Sequence, residues 1–227
     1  MKILVTSGGT SEHIDQVRSI TNHATGQLGK DITETLLNQG HQVTLVTTKR
    51  AVKPQEHPRL TIHEIVDTAD LLERMEKLVK SHDVLIHSMA VSDYTPVYMT
   101  GLDEVEQTEN LHDLLNKRNS ESKISSKDEV QVLFLKKTPK IISLVKEWNP
   151  AIHLIGFKLL VDVDTDELLA VARESLQKNQ ADMIVANDLT HIKDGQHLAY
   201  LVEANEVTTA YSKLEIAQLL SQKIQQL

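Results

Sequence analysis

Short apolar runs alternate with amphipathic stretches along most of the chain. Lys2–Thr6 is apolar at three successive positions and is halted by Gly8 and Gly9, the pattern of a buried parallel strand. Residues 26–39 then place Leu28, Ile32 and Leu36 on one helical face, with Gly40 as the stop. Val43–Thr47, Leu60–Ile65 and Asp83–Met89 read as further strands. Between the last two, Leu71, Met75, Leu78 and Val79 predict a helix that opens near Asp67 or Thr68. Strands that alternate with helices predict crossover connections and a parallel sheet.

The alternation breaks between Tyr94 and Asp128. Residues 101–129 are acidic and polar with few apolar positions, which predicts, at about 95–130, a β-rich insertion, a flap or a partly ordered segment. Val130–Leu135 resumes the strand pattern, and Thr138 with Pro139 predicts a capped helix start. His153–Leu159 and Asp182–Ala186 are strands, and Asp164 with Glu167 predicts a capping box for a helix running to about Asn179. Leu198–Val202 and Val207–Tyr211 predict an antiparallel hairpin, followed by a helix from Lys213 with Ile216, Leu219, Leu220 and Ile224 on one face. The predicted fold is α/β: one Rossmann-like, doubly wound, mostly parallel sheet with helices on both faces. The insertion and the C-terminal hairpin complete one domain over residues 1–227.

Composition narrows the function. Aromatic residues are 3% of the chain against 40% hydrophobic, so the core is aliphatic. A net charge of −8 argues against a nucleic-acid partner, while leaving room for a local basic pocket. The absence of cysteine excludes disulfides, thiolate zinc sites and a cysteine nucleophile. No targeting segment and no long apolar run is present, so no membrane association is expected and the cytoplasm is the expected location. The 11 histidines contain no His-x-x-x-His pair, and no Gly-x-Ser-x-Gly elbow occurs.

In an open parallel sheet, ligands bind beyond the carboxyl ends of the strands. The segments that fall there are Ser7–Thr10, Thr47–Arg50, His87–Asp93, Lys136–Pro139, Gly156–Lys158 and Asn187–Asp188. Gly8 and Gly9 allow backbone N–H groups to approach an anion, or simply make a tight strand exit. Thr25 and Gly26 open a helix whose first amides suit a phosphate, or cap an ordinary helix. Arg18 is either an anion-binding fork or a surface charge, and Asn22 either an oxyanion donor or a turn residue. Asp93 is a candidate for a phosphate-bound metal or a nucleotide, or else a turn residue. Lys123 is either a mobile triphosphate ligand or a solvated charge.

The run from Gly8 to Gly26 (Gly-Gly-Thr-Ser-Glu-His-Ile-Asp-Gln-Val-Arg-Ser-Ile-Thr-Asn-His-Ala-Thr-Gly) resembles the opening of phosphopantothenate–cysteine ligases. Further matches follow in order: Ala90–Tyr94, Lys123-Ile124, Leu135–Ile141, Gly156-Phe157 and Ala186–Asp188. The resemblance covers nearly the whole chain. It implies that a nucleoside triphosphate, typically CTP, activates the carboxylate of 4′-phosphopantothenate as an acyl-nucleotidylate. The amine of L-cysteine then displaces CMP.

By the same resemblance, Asn22, Arg18 and Lys123 are the catalytic candidates. Gly8, Gly9, His87, Ser88, Met89, Asp93, Lys123, Pro139, Lys140, Ile141, Ile142, Phe157 and Lys178 are the implied nucleotide contacts. Thr25, Gly26, Asn22 and Asn187 fall to the acid substrate. Magnesium bound mainly through the phosphates is implied. So are no flavin, a homodimer with its site near the interface, and a functional link to a separate decarboxylase. The chain resembles the stand-alone form of the ligase.

The sequence departs from the family pattern in places. Lys140 stands for its aspartate, Ser125 and Ser126 for two lysines, and Glu174 for another lysine; Leu159–Val161 replaces its Glu-Thr. These leave CTP and ATP both open. A nucleotide-binding sensor without catalysis is the competing reading. A short-chain oxidoreductase is disfavoured by the lack of Tyr-x-x-x-Lys.

Overall fold

The computed structural model describes residues 1–193 and 196–227. The chain runs β1 (Lys2–Thr6), β2 (Ser11–His13), β3 (Ser19–Thr21), α1 (Gln27–Asn38), β4 (Gln42–Thr48), β5 (Leu60–Ile65), α2 (Thr68–Val79) and β6 (Val84–His87). β7 (Tyr94–Gly101), α3 (Leu102–Gln107), a 3-10 turn (Leu111–Asn116) and β8 (Gln131–Lys137) follow. Then come α4 (Ile141–Trp148), β9 (His153–Leu160), α5 (Thr165–Lys178), β10 (Met183–Asp188) and a second 3-10 turn (Leu189–His191). The short β11 (Ile192–Lys193) and β12 (Gln196–His197) lead to β13 (Ala199–Val202), β14 (Val207–Ala210) and α6 (Lys213–Ile224).

Eight strands form the main sheet in the order β14-β13-β10-β9-β6-β1-β4-β5. Pairing is parallel from β5 through β10, and β13 and β14 add the antiparallel edge. Because side chains alternate across a strand, Ile3, Val5 and Ile86 pack with α1 and α6 on one face. Leu4, Leu85 and Leu154 meet α2 and α4 on the other, and Ile184 and Ala186 meet α5 there. The predicted doubly wound sheet, with helices on both faces and an antiparallel C-terminal pair, is therefore the observed one.

The helices form where packing outweighs propensity. α1 carries Gly29, which costs about 1 kcal/mol relative to alanine in a helix interior. It also buries Ile32, Leu36 and Leu37, each worth roughly 1.5–3 kcal/mol. The glycine is required because a Cβ there would collide with the Ser7 side chain, so α1 lies directly against the end of β1. Asp67, Asp164 and Ser212 cap α2, α5 and α6 by accepting from the amides of Asp70, Glu167 and Glu215.

Three expectations need correction. Val130–Leu135 does not rejoin the parallel sheet: β8 pairs antiparallel with β7 in a separate two-stranded ribbon. The insertion therefore extends to Lys137, and β7, masked by Pro96 and its register shift, is its first strand. Thr138 is not a helix cap, since its hydroxyl donates to the Ser92 carbonyl at 2.6 Å and α4 begins only at Ile141. Finally, the loop expected from Ser7 to Thr25 contains the β2–β3 hairpin, folded against α2 by Glu12, whose buried carboxylate accepts from the Thr68 amide and hydroxyl.

Candidate active site

β1 connects through α1 to β4 on one side, whereas β6 lies on the other side of β1. The sheet thus reverses direction between β1 and β6, and a crevice opens beyond their carboxyl ends. It is occupied by a cavity of about 490 Å³. Its walls come from Ser7 and Gly8 after β1, 23–29 at the start of α1, and 87–93 after β6. Pro139–Ile142 before α4, Phe157–Leu159 at the end of β9, and Asn187 at the end of β10 close the rest.

Backbone and side-chain hydrogen bonds stitch the two central loops together. Ala90 N donates to Gly8 O at 2.9 Å and Thr10 N to Ala90 O at 3.0 Å. The Ser88 hydroxyl donates to Thr6 O at 2.6 Å, and Ser92 N donates to the Thr10 hydroxyl at 2.9 Å. Asn22 joins this seam, its amide nitrogen donating to Ala90 O at 3.2 Å and to Ser92 Oγ at 3.1 Å. A Cβ on Gly9 would sit 2.7 Å from the Asn22 carbonyl oxygen, so glycine is what lets the Asn22 segment approach. Asn22 and Gly9 stand behind the cavity wall rather than on it.

His87 lies at the base, 7% exposed, with Nδ1 2.8 Å from the Thr6 hydroxyl. Burial, reinforced by the charge of Lys140, lowers its pKa from 6.5 to about 4. It is therefore a neutral, structural imidazole at pH 7. Asp93 sits exposed at the rim and is paired with Lys140 at 2.9 Å. It is the only carboxylate among the described lining residues, against Lys140, Lys158 and Lys213. A chain of net charge −8 has thus gathered positive charge in this cavity.

Of the residues singled out in the sequence, Gly8, Thr25, Gly26, His87, Ser88, Met89, Asp93, Pro139, Lys140, Ile141, Ile142, Phe157 and Asn187 line this cavity together. Lys178 does not; it lines a smaller recess of about 140 Å³ between α4 and α5, shared with Lys140 and Lys158. Arg18 does not either. Its guanidinium donates to Asp15 at 2.6 Å and to Ile124 O at 3.1 Å. Asp15 also accepts from the amides of Val17, Arg18 and Ile124, and these donors with Arg18 hold its carboxyl well below the usual range. Lys123 is exposed on the insertion beside this clamp, outside the cavity wall.

Sequence reasoning passed over Lys213 and His197, which both line the cavity. Lys213 was visible only as a helix start, and His197 lies in a short connection with no pattern. Asp188, beside Asn187, turns away from the cavity and accepts from Val163 N at 2.8 Å and Thr190 N at 2.7 Å.

A family model described as the DNA/pantothenate metabolism flavoprotein C-terminal domain matches residues 1–111 and 107–227. The chain belongs to this family. A solved structure described as the DNA/pantothenate metabolism flavoprotein from Streptococcus pneumoniae is 68% identical, with a TM-score of 0.95, over 99% of this chain and 98% of that one. The C-terminal domain of a coenzyme A biosynthesis bifunctional protein CoaBC superposes with a TM-score of 0.74 at 27% identity, over 99% of this chain and 94% of that one. The CoaBC protein of Thermococcus kodakarensis is 30% identical over all of this chain. The chain spans 51% of that relative's length. Among the described residues, no helix of this family member is long and apolar enough to cross a membrane.

Proposed function

We propose that the chain is a phosphopantothenate–cysteine ligase of coenzyme A biosynthesis, acting in the cytoplasm. The observation that carries the reading is the cavity at the sheet's switch point: glycine loops, a helix start and lysines converge there on an otherwise acidic chain. Membership in a family whose relatives carry coenzyme A biosynthesis in their names supports it.

In this reading a carboxylate oxygen of 4′-phosphopantothenate attacks the α-phosphorus of CTP. The bond to pyrophosphate breaks and an acyl-cytidylate forms. The amine of L-cysteine then attacks the acyl carbon, the carbon–oxygen bond breaks, and CMP leaves. Lys140 and Lys158 offset the triphosphate charge, and the amides at the start of α1 face it. Phe157 packs against the nucleotide, and Asn187 faces the acid. Asn22 sets the seam between the two central loops and thereby the floor on which the acyl group rests. Lys123, latched beside Arg18, is the element that closes over the phosphates.

Magnesium fits this site in a limited way. Among the described residues no group of three or more ligating side chains exists, so the ion would be held by the phosphates and by Asp93 alone. When bound it supplies charge neutralisation. No lining residue calls for a flavin. Two copies would pair through the β7–β8 ribbon, whose Tyr94 and Leu135 are exposed apolar groups.

Pyrophosphate release with each of the four nucleoside triphosphates tests the reading. Release must require 4′-phosphopantothenate and be fastest with CTP. Nucleotide binding without release favours the sensor.

A further inference from the structure

His87 is held through one ring nitrogen only. It ends β6, with Thr6 of β1 and Gly156 of β9 as its neighbours in the sheet. Its Nδ1 lies 2.8 Å from the Thr6 hydroxyl. That hydroxyl already accepts from Met89 N at 3.2 Å. Thr6 is 0% exposed, and among the described residues the acceptor that its own proton reaches is His87 Nδ1. A proton on Nδ1 instead would leave the Thr6 proton buried and unpaired, which folded proteins avoid. Thr6 therefore donates, Nδ1 accepts, and the neutral ring carries its proton on Nε2.

Nε2 has no partner among the described residues, yet it keeps accessible surface. That surface opens into the cavity, which His87 lines. The structural role of the ring thus uses one nitrogen and leaves the other as an N–H donor aimed into the ligand space. Its place there is defined by the loop that it starts. This loop meets the Gly8 loop at Ala90, where Ala90 N donates to Gly8 O. It then meets the start of α4 at Asp93, which accepts from Thr138 N at 2.9 Å and pairs with Lys140. His87 lies on the floor between these two junctions. In the ligase reading the acid's carboxylate rests at the first, and the triphosphate runs toward Lys140 and Lys158. The α-phosphorus that joins them then lies over His87.

We propose that His87 is a catalytic hydrogen-bond donor to a non-bridging oxygen of the phosphoryl group under attack, and that Thr6 is the positioning residue that fixes its tautomer. The inference rests on the ligase reading for the identity of that phosphoryl group. As the carboxylate–phosphorus bond forms, the bond to pyrophosphate breaks and pyrophosphate leaves with the electron pair. The non-bridging oxygens gain charge at that moment, and the Nε2–H meets it while keeping its proton.

The tautomer is tested first, by nitrogen-15 resonances of the histidine rings in the wild-type chain. His87 should show an unprotonated Nδ1 and a protonated Nε2, and the Nε2–H resonance should move when CTP is added. A proton on Nδ1, or an Nε2–H that ignores CTP, overturns the proposal whether or not pyrophosphate is ever released. If the tautomer is as stated but no pyrophosphate is released, the ligase reading alone fails, and the CTP-induced shift sustains the donor. Kinetics tests the role. His87→Leu should lower kcat for pyrophosphate release by about 100- to 1,000-fold, the range for one donor at a developing oxyanion, with far smaller changes in the three KM values. Thr6→Val should lower kcat in the same direction and give a mixture of His87 tautomers. Thr6→Ser, which keeps the hydroxyl, should restore both. An effect confined to KM in His87→Leu, or wild-type kcat in Thr6→Val with its tautomers mixed, would contradict the assignment.

Discussion

Asn22 donates from one amide group to two acceptors, the Ala90 carbonyl and the Ser92 hydroxyl. Asn22→Asp replaces that donor with a carboxylate facing a carbonyl oxygen, and it also brings negative charge toward an acyl-nucleotidylate. We expect kcat to fall by about 100- to 1,000-fold, the cost of one misplaced donor at a reacting centre, with circular dichroism unchanged. Wild-type turnover in that variant would remove Asn22 from the mechanism. His87 makes a different prediction. Its folded pKa of about 4 lies below the ordinary 6.5, so the unfolded chain binds more protons between those values. The stability present above pH 6.5 is lost as the pH falls through that window, by up to about 3 kcal/mol. His87→Gln should flatten the pH dependence of the unfolding free energy between 6.5 and 4. An unchanged slope would contradict the assignment. The sequence named both residues but not their orientation. Asn22 and Ser88 turn toward the seam, and Asp188 turns away from Asn187, because hydrogen-bond partners 25 to 82 positions away decide it.

The inner strands of the parallel sheet were legible because they are apolar runs that are largely buried, as in Val84–His87. The β7–β8 ribbon was not. Val130–Leu135 showed as a strand but its pairing did not: Tyr94 meets Lys137 across the whole insertion, and β7 is not buried enough to show in its composition. The hairpin of β2 and β3 was hidden for the same reason: it is three residues on each side. What fastens the insertion is the clamp of Asp15, Arg18 and Ile124, reinforced by Gln16 N donating to Ser122 O at 3.1 Å. Arg18→Ala leaves the Asp15 carboxylate, only 1% exposed, without its cation. Cleavage by a protease at 117–130 should become several-fold faster, and the nucleotide KM should rise, with the main sheet intact by circular dichroism. Equal cleavage rates in wild type and variant would remove the clamp from the control of the insertion.

The molecule as a whole brings the loops after β1, β6, β9 and β10 to one edge of one sheet, and places lysines above and below it. That convergence was predictable from strand order and the rule that ligands sit at the switch point. The lysine on the α6 side was not, since nothing local distinguishes Lys213 from any other first residue of a helix. The central claim is that a carboxylate is made reactive at this edge by transfer of a nucleotidyl group. The most direct measurement uses 4′-phosphopantothenate labelled with oxygen-18 in its carboxylate, with mass analysis of the products. The account predicts one labelled oxygen in the phosphate of CMP, made only when cysteine and CTP are present. Label in orthophosphate or pyrophosphate, or unlabelled CMP, would contradict it.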